Sequence, residues 1–178
     1  MNNEKLNILL LKISQGDESA FENLYDQTKK GVFAFLYTYF QNYHDTEDAM
    51  QMVYLKIKKG VTSYKPNSNA IAWILQIAKN YALTELKNKK NNIPLAEIEN
   101  TIKDSKQENF KDYEITKIIF SCLSEEEQRI ITLHILCGYK HREIAKFLGC
   151  PVGTITSKYK RLIVKLKTAL KEEDLLCL

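Results

Sequence analysis

The stretch from Leu123 to Leu170 constrains this chain most, because helix-starting and helix-stopping signals alternate there at close intervals. Ser124-Glu125-Glu126-Glu127 sets a serine three residues before a glutamate, the reciprocal capping pattern of a helix N-terminus. Ile130, Ile131, Leu133, His134 and Leu136 follow at helical spacing, and Gly138 offers a left-handed stop. His141 to Leu148 reads as a second short helix ending at Gly149. Cys150-Pro151-Val152-Gly153 then turns the chain into a third helix that runs to about Lys171. Short helices joined by a tight turn make a helix-turn-helix.

The spacing inside this unit predicts its two faces. Ala145 and Gly149 lie four apart, which predicts a close crossing of two helices. Ile144, Leu148, Val152, Ile155, Tyr159, Leu162 and Leu166 form one apolar set. Thr156, Ser157, Lys160, Arg161 and Val164 are left on the opposite face of the third helix. Residues 151–171 carry six cations and no acidic residue, so a polyanionic partner is the natural explanation. Short polar and cationic side chains on one helix face suit entry into a major groove. A solvated basic face on an ordinary bundle is the bland alternative, and the coincidence of turn, small-residue pair and basic face argues against it.

The runs Leu123-Ser-Glu-Glu-Glu-Gln-Arg129, Gly138-Tyr-Lys-His-Arg-Glu-Ile-Ala145, Leu148-Gly-Cys-Pro-Val-Gly-Thr-Ile155 and Ser157-Lys-Tyr-Lys-Arg161 carry a likeness. They resemble the C-terminal domain of bacterial RNA polymerase sigma factors, closest to the small extracytoplasmic-function class. The resemblance implies a domain that reads the −35 promoter element. Its candidate DNA contacts are Thr154, Thr156, Ser157, Lys158, Lys160, Arg161 and Lys165.

The first half is also helical by period. Leu6 to Ser14 reads as a short helix stopped by Gly16, with Asp17 as the next N-cap. Phe21, Leu24, Tyr25, Thr28, Val32, Phe35, Leu36 and Tyr39 trace one face of a long helix. Asp45-Thr46-Glu47-Asp48 is the expected start of a third helix, which ends near Lys59. A loop from Gly60 to Asn69 and a fourth helix from Ala70 to Lys87 follow. Asp17 with Ala20-Phe21, Thr46-Glu-Asp48-Ala-Met-Gln51, and Trp73-Ile74 with Ile77-Ala78-Lys79-Asn80 resemble the sigma domain that holds polymerase and melts the −10 element.

That resemblance implies three surfaces. Asp48 and Gln51 share a helix face and are candidates for docking on core polymerase, although Asp48 could equally cap its helix. Tyr64 and Lys65 in the loop, with Asn80, imply a pocket for a base flipped from the duplex. An aromatic can bound such a base, an amide can bond its edge, and a lysine can hold phosphate. By helical spacing, Gln76, Lys79 and Lys87 project from the polar side of the fourth helix, with Gln76 and Lys79 as further candidate −10 contacts. Trp73 and the aromatic crowd from Phe33 to Phe40 are expected to pack rather than to stack on DNA. Thr84, Lys87, Met52 and Ala70 depart from the residues usual in the family.

The expected fold class is all-α: two small helical domains over 1–87 and 110–178, joined by a polar linker over 88–109. A turn of helix is conceivable within the linker, around Leu95 to Ile98. The second domain should begin with a helix near Phe110 that carries Ile115, Ile118, Ile119 and Cys122. Net charge is only +4, and residues 111–178 hold 12 of the basic and 9 of the acidic groups, so the cationic surface is local. Cys122, Cys137, Cys150 and Cys177 match no zinc or redox spacing, so no metal and no cofactor are expected. No apolar run approaches the ~20 residues that cross a bilayer, and no signal peptide opens the chain, which predicts a cytoplasmic protein without membrane insertion.

The expected partners are core RNA polymerase, double-stranded promoter DNA and the melted −10 strand, with an anti-sigma protein as a further partner that the resemblance allows. A second reading is a sigma-like regulator that binds DNA without melting promoters. An enzyme is the third, and its case is poor: His44, His134 and His141 join no catalytic pattern, and no glycine-rich phosphate loop occurs.

Overall fold

The computed structural model describes residues 3–92 and 120–176, with side chains at 3–89 and 120–169. Every element among these residues is helical, as the sequence predicts. The chain divides into two compact units, 1–106 and 107–178.

The first unit holds α1 (Asn3–Ser14), α2 (Glu18–Phe40), α3 (Tyr43–Gly60), a single tight turn Val61–Ser63, and α4 (Ala70–Asn92). Asp17 caps α2 as predicted, its carboxylate accepting the Ala20 N–H at 3.0 Å. The start of α3 differs from the prediction. Asn42, not Asp45, is the cap: its side chain accepts the Asp45 N–H at 3.1 Å. Gln41, at φ 52, ends α2 in the left-handed region, so two residues suffice to close one helix and open the next.

Each of the four helices buries one stripe. Leu6 and Leu10, Leu24, Phe35 and Leu36, Ile57, and Ile74 and Leu75 are essentially closed to solvent. Each such side chain contributes ~1.5–3 kcal/mol of burial. Thr28 is a polar group inside this core, and it is satisfied twice. Its hydroxyl lies 2.6 Å from the Leu24 carbonyl and 2.6 Å from the Tyr54 hydroxyl. Burial pushes the Tyr54 phenol well above its ordinary range, so it stays protonated and able to bond.

The fourth helix continues five residues past Lys87, to Asn92. The polar run there contains no breaker, and Lys89 fastens it by an ion pair to Asp45 at 2.9 Å and by lying over the Phe40 ring. The helical turn considered at 95–98 lies outside the described residues, as does the helix expected near Phe110 as far as Ile119; its end is described, with Phe120 and Ser121 helical and Cys122 exposed in the turn that follows.

In the second unit α5 (Glu125–Ile131) opens with both halves of the predicted capping box, Ser124 and Glu127. The last turn of α5 widens over Thr132–Leu136, where the Cys137 N–H reaches five residues back to the Thr132 carbonyl at 3.1 Å. Gly138 at φ 74 then ends it. α6 (His141–Leu148) stops at Gly149, φ 73, and α7 (Val152–Leu176) follows the Pro151 turn. A Cβ on Gly149 would meet nothing within 4 Å. The predicted close crossing is therefore not what requires glycine here; the left-handed backbone is.

Leu123, Ile130, Leu133, Ile144, Ile155 and Leu162 form the core of this unit. Gln128, also buried, brackets the chain ahead of α5: its amide donates to the carbonyls of Phe120 at 2.8 Å and Leu123 at 3.0 Å. Val152, grouped with the apolar set in the sequence, is 41% exposed, because it sits in the first turn of α7 before the helix meets its neighbours.

Candidate nucleic-acid interface

The two faces of α7 are set by helical period. Ile155, Leu162 and Leu166 anchor one side, with Tyr159 half-buried between them. Ser157, Lys160, Arg161 and Val164 lie on the exposed side, Val164 at 64%. Thr154 and Thr156 are half-buried at the margins. Neither Lys160 nor Arg161 forms an ion pair with a described residue, and Arg161 leans its Nε toward the Ser157 carbonyl one turn back, at 3.4 Å.

Two lysines proposed from the sequence for DNA are engaged inside the protein. Lys158 pairs with Glu126, and Lys165 reaches Glu127 at 2.8 and 2.9 Å. Both partners belong to the acidic first turn of α5. Desolvation raises the Glu127 carboxyl, but Lys165 with the N–H and hydroxyl of Ser124 outweighs it and holds the group below its usual range. The basic helix is thus neutralised along its α5 flank and left bare along the edge of Ser157, Lys160 and Arg161.

Thr156 is positioned from two directions. Its hydroxyl donates to the Val152 carbonyl at 3.1 Å and lies 3.3 Å from Nδ1 of His141, the first residue of α6. His141, His134 and Tyr159 form a ring cluster with centroids 4.7–5.1 Å apart, which locks α6 against α7. Lys140 and Arg142, exposed at the start of α6, were not singled out in the sequence. The run Lys140-His141-Arg142 at the mouth of the motif was the available signal.

In the first unit Asp48 and Gln51 are both exposed on α3, beside exposed Met52 and Leu55. Asp48 lies a full turn inside the helix and does not cap it. Gln76 and Asn80 are exposed one turn apart on α4, the Gln76 amide donating to Asn80 Oδ1 at 2.8 Å. Lys79 beside them is half-buried. Lys65 is exposed, but Tyr64 is only 7% exposed and turns inward. Its ring packs on half-buried Trp73 with centroids 5.2 Å apart, and its hydroxyl points to Asn7 of α1, not to Asn80. No bond joins Tyr64 to Asn80: the tyrosine ring is turned into the core, and the asparagine lies exposed on α4.

Comparison with known proteins decides the family. Residues 24–92 match Sigma-70 region 2, and residues 119–166 match Sigma-70, region 4. The ECF RNA polymerase sigma-E factor of Haemophilus influenzae is 28% identical over 168 residues, spanning 86% of this chain and 88% of that protein. The protein of the same description from Escherichia coli K12 is 28% identical over 169 residues, with the same coverage. The chain belongs to the sigma-70 family, in its extracytoplasmic-function class.

As a sigma factor it is a transcription-initiation protein that binds core RNA polymerase and directs it to specific promoters. Two solved structures share its fold. CnrH in complex with the cytosolic domain of CnrY superposes with a TM-score of 0.63 at 17% identity, covering 94% of this chain and 98% of that one. The sigma factor RpoE of Bartonella quintana, in complex with the anti-sigma factor NepR, gives 0.65 at 22%, covering 85% and 96%. The region 4 match ends at Leu166, the last buried residue of α7 among those whose side chains are described. No helix among the described residues is long and apolar enough to cross a membrane.

Proposed function

We propose that this sigma factor divides promoter reading between its units, α7 entering the −35 major groove and the Tyr64–Asn69 loop with α4 engaging the melted −10 strand. The observation that carries the first half is the bare edge of α7. Ser157, Lys160 and Arg161 are exposed together on a helix whose other side is locked into a core. Arg161 is suited to a guanine edge, Ser157 and Thr154 to base or phosphate oxygens, and Lys160 to phosphate. Thr156, held by His141, orients the helix as much as it contacts DNA. Lys158 and Lys165 join α7 to α5, and touch phosphate only by giving up Glu126 and Glu127.

For the −10 element the reading rests on exposed Lys65, Gln76 and Asn80 with Lys79 beside them. Tyr64 supports the loop from within. The hydrogen-bonded pair Gln76–Asn80 presents amide groups one helical turn apart, a spacing that suits unpaired base edges. Asp48 and Gln51, exposed on α3 beside Met52 and Leu55, form the core-polymerase face. The chain makes and breaks no covalent bond in this scheme and works in the cytoplasm; strand opening is driven by binding energy offset against lost stacking. An anti-sigma protein fits as antagonist, by likeness to the sigma factor solved with NepR.

The test is selection of promoter fragments from a random library by the purified protein with core polymerase. Two shared elements at a fixed spacing, and specific starts from the selected fragments, are expected. Fragments that bind but yield starts only from pre-melted templates would reduce the protein to a DNA-binding regulator.

A further inference from the structure

α1 carries a buried polar side chain that the division of labour above leaves unexplained. Asn7 is 7% exposed, on a helix otherwise buried through Leu6, Leu9, Leu10 and Ile13. Its Nδ2 donates to the Ser68 carbonyl at 3.1 Å and to the Asn3 carbonyl at 2.9 Å, and its Oδ1 accepts the Tyr64 hydroxyl at 2.5 Å. Asn3 adds a second strut. Its Nδ2 donates to the same Ser68 carbonyl at 3.2 Å, and its Oδ1 accepts the Ala70 N–H at 2.7 Å. The Tyr64 hydroxyl has one proton and a second acceptor within 3.2 Å, the Ser68 carbonyl. The shorter bond to Asn7 takes the proton.

These bonds fix both ends of the loop. Between them Lys65-Pro66-Asn67-Ser68 closes a tight turn, the Ser68 N–H reaching the Lys65 carbonyl at 3.3 Å. Asn67 stands at φ 62, with proline before it, the residue order of a type II turn. The turn faces two ways: Tyr64 and the Ser68 carbonyl are held by α1, while Lys65, Pro66 and Asn67 are exposed. A buried amide with every group satisfied is costly to disturb, so the turn is presented as a rigid object.

We propose that α1 is a positioning element for DNA reading: Asn7, with Asn3, holds the 64–69 loop so that Lys65 and Asn67 meet the melted −10 strand pre-ordered. This rests on the reading that the loop engages that strand. Ordering side chains in advance removes an entropy cost from binding, which is where affinity and base preference would be gained. Asn7 touches no nucleic acid and is a positioning residue.

The test uses holoenzyme assembled with core polymerase and a fluorescent single strand of the −10 sequence obtained by the promoter selection. Asn7→Ala is expected to lower affinity for that strand by about fivefold, the weight of roughly one kcal/mol, and to shrink the preference over a base-altered strand. Affinity for core polymerase should stay within about twofold, since α3 carries that face. Tyr64→Phe, which keeps the ring and removes the proton, should reproduce the loss, and the double variant should be no worse than either single one. It serves equally if Asn7→Ala does not fold. A Lys65→Ala/Asn67→Ala variant separates the two readings. If it weakens strand binding and both Asn7→Ala and Tyr64→Phe leave it unchanged, α1 does not position the loop. If the Lys65/Asn67 variant itself binds the strand normally, the loop does not read DNA and both readings fall. Parallel loss of core and strand affinity in the Asn7 and Tyr64 variants would overturn the proposal in favour of a general folding role.

Discussion

Glu126 on α5 holds the ammonium of Lys158 on α7, across 32 positions of sequence. One of the six cations of the basic helix is thereby spent within the protein. We predict that Glu126→Gln releases it: general DNA affinity rises, and the slope of log affinity against log salt steepens by about 0.9 if the freed lysine reaches one phosphate. Lys158→Ala should change that slope less than Lys160→Ala. Binding titrations at several salt concentrations compare the three, and equal slope changes for the two lysines would refute the assignment. The cost to stability should be small, about 0–1 kcal/mol, because the pair is partly exposed.

Arg161→Ala is expected to cost ~1–3 kcal/mol of discrimination between the selected −35 element and a scrambled one. Lys160→Ala should lower both affinities together. Competition binding on the two duplexes measures the split, and parallel losses for both variants would show that α7 reads phosphate only.

Glu127 links stability to pH. Its folded carboxyl lies below the ordinary value of 4.5, held there by Lys165 and Ser124 against desolvation. A depressed acid contributes stability that is complete above the unfolded value and is lost as pH falls through the folded one. Thermal melts should therefore show the second unit weakening below about pH 4.5. Glu127→Gln should melt lower at pH 7 and lose less between pH 7 and pH 4; a variant with the wild-type acid slope would remove Glu127 as the cause.

Gly149→Ala should destabilise the second unit by roughly 1–2 kcal/mol, the cost of a left-handed alanine, since the space for a Cβ is open. Gly149→Asn should recover much of that loss, because asparagine tolerates the same backbone. If both variants melt alike and far below wild type, helix crowding, not φ, governs the site.

Elements marked by signals within a few residues were legible. The Ser124–Glu127 box, the Asp17 cap and the glycine stops at 138 and 149 are local chemistry, and they stand where the spacing put them. The Asn42 cap is masked in the sequence, because four polar residues beginning at Asp45 offer a more conspicuous start. What a side chain does across the fold left no local trace. Lys165 and Glu127 are 38 residues apart, and Tyr64 and Asn7 are 57 apart. A lysine on a basic helix looks the same in sequence whether it faces solvent or a glutamate. A loop tyrosine likewise gives no sign of which way its ring turns.

The widened turn at Thr132–Leu136 takes up one residue more than ordinary winding would use, and so leaves Ile135 59% and Leu136 41% exposed after fully buried Leu133. That slack makes the segment the place where the second unit can best tolerate a shorter chain. Excising Ile135 should tighten the coil to normal pitch, with Leu133 still inside and Gly138 still able to reverse direction. Excising Glu143 one helix later, inside α6, would instead rotate the side chains that follow in that helix by about 100° and turn Ile144 and Ala145 off their buried face.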